Sequence, residues 1–157
     1  MAFRPWSKVA PRVPVDRRTD AKGRVFDSQQ EMLWYNELEL LERAGRIRGL
    51  KRQVLYHLVM PLPEGPRPIL IRSPGFPNGR VASYTLDAQY EQLVLEGPDR
   101  GKWRAVYAEW KGHLEPVSTL RRAVFESIYG VVVTLAGPAA RKNARKRAKI
   151  EARRRAS

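Results

Sequence analysis

Apolar side chains recur at helical spacing near the start of the globular part of the chain. They lie three or four residues apart, as one face of a helix requires, at Trp34, Tyr35, Leu38 and Leu41. Ser28 is a suitable N-cap, and Glu31 follows it at the spacing of a capping box. Gly45 is suited to the C′ position. The pattern therefore predicts a first helix that starts at Ser28 and ends near Ala44.

Alternating apolar and polar positions predict strands in the middle of the chain. The longest such run spans residues 80–95, and its apolar positions are Ala82, Tyr84, Leu86, Ala88 and Tyr90. Shorter strands are predicted over residues 53–60, 69–72, 103–111 and 131–136. Residues 73–79 are rich in turn residues, and Asn78-Gly79 among them is a hairpin signal that precedes the long strand.

A second helix is predicted over residues 118–129, with Leu120, Val124 and Ile128 turned toward the core. The order of elements is then a helix, several antiparallel strands, a second helix and a final β-branched strand. This order indicates an α/β or α+β domain that is built on one mixed sheet.

Composition limits the chemistry open to this chain of 157 residues, whose 43% hydrophobic content suits one domain with a real core. It contains no Cys, which excludes a disulfide scaffold, a Cys-ligated zinc site and thiol catalysis. With two His, His57 and His113, neither a His-rich metal site nor a His-based triad is expected. The longest apolar run, residues 131–137, is too short to span a bilayer, and the N-terminus lacks the apolar segment of a secretion signal. We therefore expect a soluble, cytoplasmic protein.

The net charge of +14 is concentrated at the two ends of the chain. Residues 1–25 carry seven Lys or Arg against two Asp, and residues 141–157 carry nine against one Glu. The intervening residues 26–140 are nearly neutral, with 14 basic and 13 acidic side chains. The charge thus divides the chain into a basic, flexible N-terminal arm (1–25), a globular domain (26–140) and a basic C-terminal tail (141–157).

Basic segments of this kind bind nucleic acid with little sequence preference, because each neutralised phosphate releases condensed counterions. The C-terminal tail contains the densest group of cations, which includes Lys142, Arg145, Lys146 and Arg147. Its Ala, Arg and Lys content also favours a helix. A solubility tail is the alternative interpretation for either segment.

The strand predicted over residues 103–111 contains Glu109 and Lys111. Because side chains alternate along a strand, these two project from the same face. A carboxylate beside an ammonium can coordinate a cation, position a water or stabilise negative charge that develops on a phosphate. Taken alone, the pair is more typical of a surface ion pair.

Two further carboxylates extend this pair. Asp87 lies in the preceding long strand, and Glu31 has the helical phase of the apolar side chains in the first helix. Alternative roles are a solvated polar position for Asp87 and a capping-box acceptor for Glu31. Three carboxylates and Lys111 would form an oxygen-lined site for Mg²⁺, which activates a bound water and offsets charge on a scissile phosphate. In a basic chain without Cys, this set favours metal-dependent phosphodiester hydrolysis.

The order of these candidate residues resembles the motif of the PD-(D/E)xK nuclease superfamily. Glu31 lies on a predicted helix, Asp87 on a predicted strand and Glu109-x-Lys111 on the next strand. The closer resemblance lies in five stretches, Phe26-Asp-Ser-Gln-Gln-Glu31, Glu37-Leu-Glu-Leu-Leu-Glu-Arg-Ala-Gly-Arg-Ile47, Leu50-Lys-Arg-Gln53, Tyr84-Thr-Leu-Asp87 and Glu109-Trp-Lys-Gly112. These are similar to a family of small phage nucleases that are related to the archaeal-type Holliday junction resolvases. The resemblance covers roughly residues 23–135 and leaves both ends of the chain outside.

The resemblance implies a restriction-endonuclease-like fold, with a central mixed sheet flanked by helices, and a homodimer that cleaves branched DNA with Mg²⁺ or Mn²⁺. Asp87 and Glu109 would be metal ligands, together with the main-chain carbonyl of Trp110. Glu31 would bind the metal directly or through water, and Lys111 would be the catalytic lysine.

The same resemblance implies roles for further residues. Gln53 matches a recurrent glutamine of the phage family and would be an accessory residue. Thr119, Arg121 and Arg122 fall where that family has a Thr and basic residues on the next helix, so phosphate contact is expected there. A phage-encoded enzyme of this kind would act in the cytoplasm of its host cell.

Three functions are therefore consistent with the sequence. The first is a divalent-metal-dependent Holliday junction resolvase that makes symmetric cuts at four-way junctions, for which a two-fold dimer supplies two sites. The second is a nuclease that uses the same catalytic set on flaps, ends, nicked duplex or linear DNA. The third is a non-catalytic nucleic-acid-binding protein, such as an RNA-binding or packaging accessory, in which the carboxylates are structural.

Overall fold

The computed structural model of the protein describes residues 15–113 and 115–141. Within them, a 3₁₀ turn at Val15–Arg18 precedes the elements α1 (Gln29–Arg43), β1 (Ile47–His57), β2 (Val59–Met60), β3 (Arg67–Pro68), β4 (Leu70–Ser73), β5 (Phe76–Val81), β6 (Ser83–Leu93), β7 (Trp103–Trp110), α2 (Pro116–Tyr129) and β8 (Val133–Ala136). Residues 138–141 are again helical.

The central sheet contains four of these strands, in the order β1-β6-β7-β8. The first three pair antiparallel, whereas β8 lies parallel to β7 and is reached through α2. A parallel neighbour needs such a crossover because a tight turn can only reverse the chain. The prediction of an α/β domain on one mixed sheet is therefore confirmed. Two short antiparallel pairs, β2-β3 and β4-β5, are inserted between β1 and β6.

The two helices pack on opposite faces of the central sheet. Along β7, Val106 and Ala108 belong to the buried cluster that includes Tyr35 of α1. Tyr107 lies between them in sequence and packs against the cluster around Phe125 of α2. Because successive side chains of a strand point to opposite faces, the sheet is covered on both sides.

Helix α1 begins and ends as its sequence pattern predicts. Ser28 is the N-cap, and its hydroxyl accepts a hydrogen bond from the Glu31 N–H at 3.0 Å. Ala44 is the C-cap, and Gly45 follows it. The Glu31 carboxylate does not complete a capping box on the N-cap residue, because it accepts instead from the Asp27 N–H at 3.1 Å.

The apolar faces of both helices differ in part from prediction. In α1, Leu41 is 42% exposed, where the last turn leads into the exposed residues 44–46. In α2, Leu120 is 66% exposed, and the fully buried side chain is Phe125. The Phe125 ring stacks on Tyr84 with 4.8 Å between the ring centroids. Val124 and Ile128, which are also predicted to face the core, are half-buried against the same cluster.

The hairpin β4-β5 turns earlier than Asn78-Gly79 predicts. Ser73 pairs with Phe76, so the two-residue loop lies at 74–75, and Asn78-Gly79 is part of β5. The loop is the Pro-Gly dipeptide of the same turn-rich stretch, which is as strong a turn signal as Asn-Gly.

The sequence pattern places the alternating apolar residues of β6 on one face of the sheet, and they are all buried or half-buried. They nonetheless divide between the two faces of the sheet, since Leu86 packs in the α2 cluster and Ala88 in the α1 cluster. The pairing of β1 with β6 sets Gln53 opposite the intervening Asp87. Gln53 has a left-handed φ of 49°. One such residue within a strand interrupts the alternation of side chains between the two faces of that strand.

The described part of the predicted N-terminal arm, residues 15–25, is held against α1. An isolated β-bridge closes this segment. Arg24 forms ion pairs with Asp20 at 2.5 Å and with Glu39 of α1 at 2.6 Å. Because a backbone bridge and side-chain ion pairs hold these residues, the folded unit begins before residue 26.

Several predicted features fall on residues that the structure does not describe. Residues 1–14 and 142–157 are outside it, and so are the predicted nucleic-acid contacts Lys142, Arg145, Lys146 and Arg147. In the described part of the chain, no helix has both the length and the apolar character needed to cross a bilayer.

Candidate active site

Two of the predicted metal ligands lie side by side on neighbouring strands. In the pairing of β6 with β7, Ala88 is opposite Ala108, which sets Asp87 beside Glu109. The Asp87 carboxylate accepts a hydrogen bond from the Trp110 N–H, with 2.7 Å between Oδ2 and N. A side-chain carboxylate thus serves as the acceptor for the last backbone N–H of β7.

Lys111 adds an amine directly after β7. Its ammonium lies 2.9 Å from Glu109 Oε1. Its backbone N–H donates to the Ala136 carbonyl of β8 at 3.0 Å, and its own carbonyl accepts from the Ala139 N–H at 3.0 Å. Because both backbone groups are hydrogen-bonded, the Lys111 side chain extends from a fixed base toward the carboxylates.

Glu31 approaches the set from the first turn of α1. Its residue surface is 6% exposed. Burial, and then the negative charge of Asp27, raise the pKa of Glu31, while the Asp27 N–H and the Arg52 guanidinium act in the opposite direction. The negative charge of Glu31 also raises the pKa of Asp87, so the two carboxylates share one electrostatic environment.

The pKa of Asp87 is raised to about 7. Burial is the largest cause, and the negative charges of Glu31 and Glu109 add to it. The Trp110 N–H and the Lys111 ammonium act in the opposite direction. Neighbouring carboxylates oppose each other's ionisation unless a cation compensates them. The three acidic side chains therefore hold more negative charge than one lysine neutralises.

Glu109 is the most enclosed member of the set, with 4% of its surface exposed. Its Oε1 faces Lys111, whereas its Oε2 is fully buried and has no hydrogen-bond partner among the described residues. The Tyr84 hydroxyl is also buried, and neither it nor Oε2 makes a hydrogen bond of good geometry within the described residues. Burial, then the negative charge of Glu109 and a contact between the Tyr84 hydroxyl and this carboxylate, raise the pKa of Tyr84. Glu109 Oε2 therefore has the Tyr84 hydroxyl beside it, and it can accept from that hydroxyl or bind a cation.

The oxygen donors of this site suit a hard divalent cation. Mg²⁺ and Mn²⁺ prefer carboxylate and carbonyl oxygens, which Asp87, Glu109 and the Trp110 main chain can supply. As the side chains stand, no group of three or more acidic or His side chains in residues 15–113 and 115–141 has the spacing of a metal site. Glu31 in particular is engaged by the Asp27 N–H.

The predicted accessory and phosphate-binding residues differ in their distance from this centre. Gln53 lies opposite Asp87 in the sheet, and its residue surface is exposed. On α2, Arg122 is half-buried, and its positive charge acts on the hydroxyl of Tyr84, so it borders the site. Thr119 and Arg121 are exposed and form no hydrogen bond or ion pair with the described carboxylates.

Two residues at the site, Tyr84 and Arg52, could not be identified from the sequence. Tyr84 occupies an alternating core position, and nothing in that pattern places its hydroxyl near Glu109. Arg52 packs its guanidinium 4.0 Å from the centroid of the Phe26 ring and donates a hydrogen bond to the Val25 carbonyl. An arginine on a strand with polar neighbours carries no signal of such packing, because its partners are distant in sequence.

Comparison with known proteins supplies no relative from which residue roles could be transferred. No protein-family model matches the sequence, and no curated protein or solved structure is significantly similar to the chain.

Proposed function

We propose that the protein is a divalent-metal-dependent, structure-selective DNA endonuclease of the Holliday junction resolvase type, with a restriction-endonuclease-like fold. One observation carries this proposal. The half-buried carboxylate of Asp87 lies beside the buried carboxylate of Glu109, and together they hold more negative charge than Lys111 neutralises. A cation bound between them would compensate this charge, which a single lysine does not.

The residues of the site divide the work of hydrolysis. The bound metal would supply a water of lowered pKa and offset charge on the scissile phosphate. Asp87, Glu109 and the Trp110 carbonyl would hold the metal, and Glu31 would contribute directly or through water. Lys111, which lies 2.9 Å from Glu109, would orient the attacking water or donate to a phosphate oxygen.

The arrangement of elements agrees with this proposal. The resemblance to PD-(D/E)xK nucleases implies a mixed sheet flanked by helices, and here α1 and α2 cover the two faces of a mixed four-stranded sheet. Glu31 lies on α1, Asp87 on β6 and Glu109 on β7, in the chain order that the resemblance requires.

Electrostatics supports DNA as the substrate. The net charge of +14 favours a polyanion, and most of it lies outside the nearly neutral globular part. Arg122 borders the carboxylates and can contact a phosphate there. A two-fold homodimer would present two such sites to two strands, as symmetric cleavage of a four-way junction requires.

Cleavage of a synthetic four-way junction in Mg²⁺ tests the proposal directly. We expect Asp87→Asn and Glu109→Gln to lower the cleavage rate by more than about a hundredfold, because replacing even an outer partner of a metal ligand costs 10–100-fold. Glu91→Gln is the matched control, since Glu91 is an acid on the same strand as Asp87 whose side chain is 46% exposed and pairs with Arg48. Unchanged cleavage in either site variant would disprove the assignment.

Lys111→Ala separates catalysis from binding. The variant should lose cleavage and keep its affinity for the junction, because Lys111 acts on the reacting groups rather than on the DNA backbone at large. Calorimetric titration with Mn²⁺ distinguishes the alternative of a non-catalytic binding protein. Full DNA binding in EDTA, together with no Mn²⁺ binding and no product in Mg²⁺, would favour that alternative.

A further inference from the structure

A cavity of about 430 Å³ opens between α1 and the helical residues 138–141. One side is a stripe of α1 that contains Gln30, Leu33, Trp34 and Glu37. Arg141 lies on the opposite side, and Trp110 lines the cavity as well. Its volume falls in the range of small-molecule sites, which is about 300–1,000 Å³.

Trp110 connects this cavity to the proposed metal site. Its indole ring packs on that of Trp34, with 5.7 Å between the ring centroids. Its backbone N–H donates to Asp87, and it stands between Glu109 and Lys111 in sequence. A ligand that stacks on these rings would therefore contact, on the α1 side of the sheet, the residue whose backbone N–H holds Asp87.

The polar side chains around the cavity are not engaged with each other. Within the described part of the chain, no hydrogen bond or ion pair involves the side chains of Gln30, Glu37 or Arg141. An amide can both donate and accept, a carboxylate accepts from exocyclic amino groups, and a guanidinium binds phosphate. Together with an indole face, these groups complement the face of a nucleobase, its edge and the adjoining phosphate.

We propose that this cavity binds an unpaired nucleobase of the DNA substrate, on the α1 side of the strand that carries the candidate site; the inference rests on the proposed function. A base within a duplex is stacked on both faces and paired along its edge. It must leave the stack to enter a concave site, and this is least unfavourable for a nucleotide that is already unpaired. The cavity therefore favours DNA with single-stranded character at a branch point over continuous duplex.

Binding in EDTA tests the cavity without any cleavage. The full-length protein is titrated into a fluorescein-labelled single-stranded oligonucleotide and into a duplex of equal length, at one fixed salt concentration, and anisotropy is recorded. Trp34→Ala should weaken single-strand binding about 5- to 150-fold, which corresponds to the loss of one base–aromatic stack, and should leave duplex binding unchanged. Trp103→Ala is the matched control, because Trp103 packs with Arg48 at the other end of β7.

A second variant covers the case in which Trp34→Ala fails to fold. Leu33 is 52% exposed, so Leu33→Trp fills the cavity without entering the core. It should reduce the preference for single strand over duplex as Trp34→Ala does. An unchanged preference in a Leu33→Trp variant with a native unfolding transition would overturn the inference, and so would an equal loss in Trp103→Ala.

The same variants separate this inference from the proposed function. If the unaltered protein cleaves no DNA in Mg²⁺ but loses its single-strand preference in Leu33→Trp, the base site is supported and the nuclease is disproved. If it cleaves junctions and Leu33→Trp keeps the full preference, the nuclease is supported and the base site is overturned.

Discussion

At the scale of single residues, the raised pKa of Asp87 affects stability as well as chemistry. The pKa is about 7 in the folded protein against 3.8 for an ordinary Asp. Between these values the folded chain holds a proton that the unfolded chain has lost. The free energy of unfolding of the metal-free protein therefore falls as pH rises from about 4 to about 7, and this contribution is level above that range. Each pKa unit corresponds to about 1.4 kcal/mol.

Asp87→Asn should remove this pH dependence. In EDTA at pH 8, we expect the variant to be more stable than the unaltered chain by about 2–4 kcal/mol, because a buried negative charge is lost. At pH 4.5 the two proteins should be nearly equal. Urea titrations at both pH values measure the difference, and a difference that does not change with pH would contradict the assignment. Adding Mg²⁺ at pH 8 should stabilise only the unaltered chain, since the ion binds its carboxylate.

The candidate site shows which contacts of single residues could be predicted from the sequence. Their spacing in sequence predicts that Glu109 and Lys111 are adjacent, and the structure has them 2.9 Å apart. Sequence spacing does not predict that the Glu31 carboxylate accepts a hydrogen bond from the Asp27 N–H. A capping box would use the same side chain in the same turn, so the sequence cannot distinguish the two. The approach of Arg52 to Glu31 depends on packing between segments that are distant in sequence.

At the scale of elements, the bounds of a helix or turn could be predicted where independent local signals agree. Helix α1 has an N-cap, an apolar stripe and a terminal glycine that all indicate the same bounds. The β4-β5 hairpin has two competing turn signals in succession, and the chain turns at the first of them rather than the second. The division of β6 between two faces occurs opposite the left-handed Gln53 of its partner strand, and no periodicity within β6 reveals it.

The corner that follows β8 is closely packed against the site and gives an element-scale prediction. Gly137 has a φ of 86°, and an added Cβ would lie 2.9 Å from the Lys111 carbonyl oxygen and 3.0 Å from the Trp110 ring. Gly137→Ala should therefore lower the free energy of unfolding by about 2–4 kcal/mol, from backbone strain and a steric clash together. Junction cleavage should fall with it, because the clash displaces the backbone of Lys111.

Gly130→Ala is the control for this variant. Gly130 ends α2 with a φ of 63°, but no atom lies within 4 Å of an added Cβ. Backbone strain alone should lower the free energy of unfolding by about 1 kcal/mol and leave cleavage unchanged. Urea titration of both variants gives the comparison. Equal destabilisation would show that the close contact at Gly137 has no effect.

At the scale of the whole molecule, the distribution of charge predicts how binding responds to salt. Residues 142–157 carry eight Lys or Arg and one Glu. Removing them should weaken binding to every DNA and reduce the slope of log affinity against log salt, by about 0.9 for each phosphate that is no longer neutralised. Anisotropy titrations between about 50 and 200 mM salt measure the slope. A slope that matches the full-length chain would show that these cations do not touch DNA.

Trp110 contributes both to the proposed metal site and to the packing of α1 on the sheet. Its amide fixes a carboxylate of the proposed metal site, and its ring fixes the spacing between the sheet and α1. A mutation that reshapes the cavity by moving Trp110 should therefore also shift Asp87, the proposed metal ligand. Engineered changes of specificity in this scaffold should for that reason come with altered metal affinity, and the two traits will have to be optimised jointly.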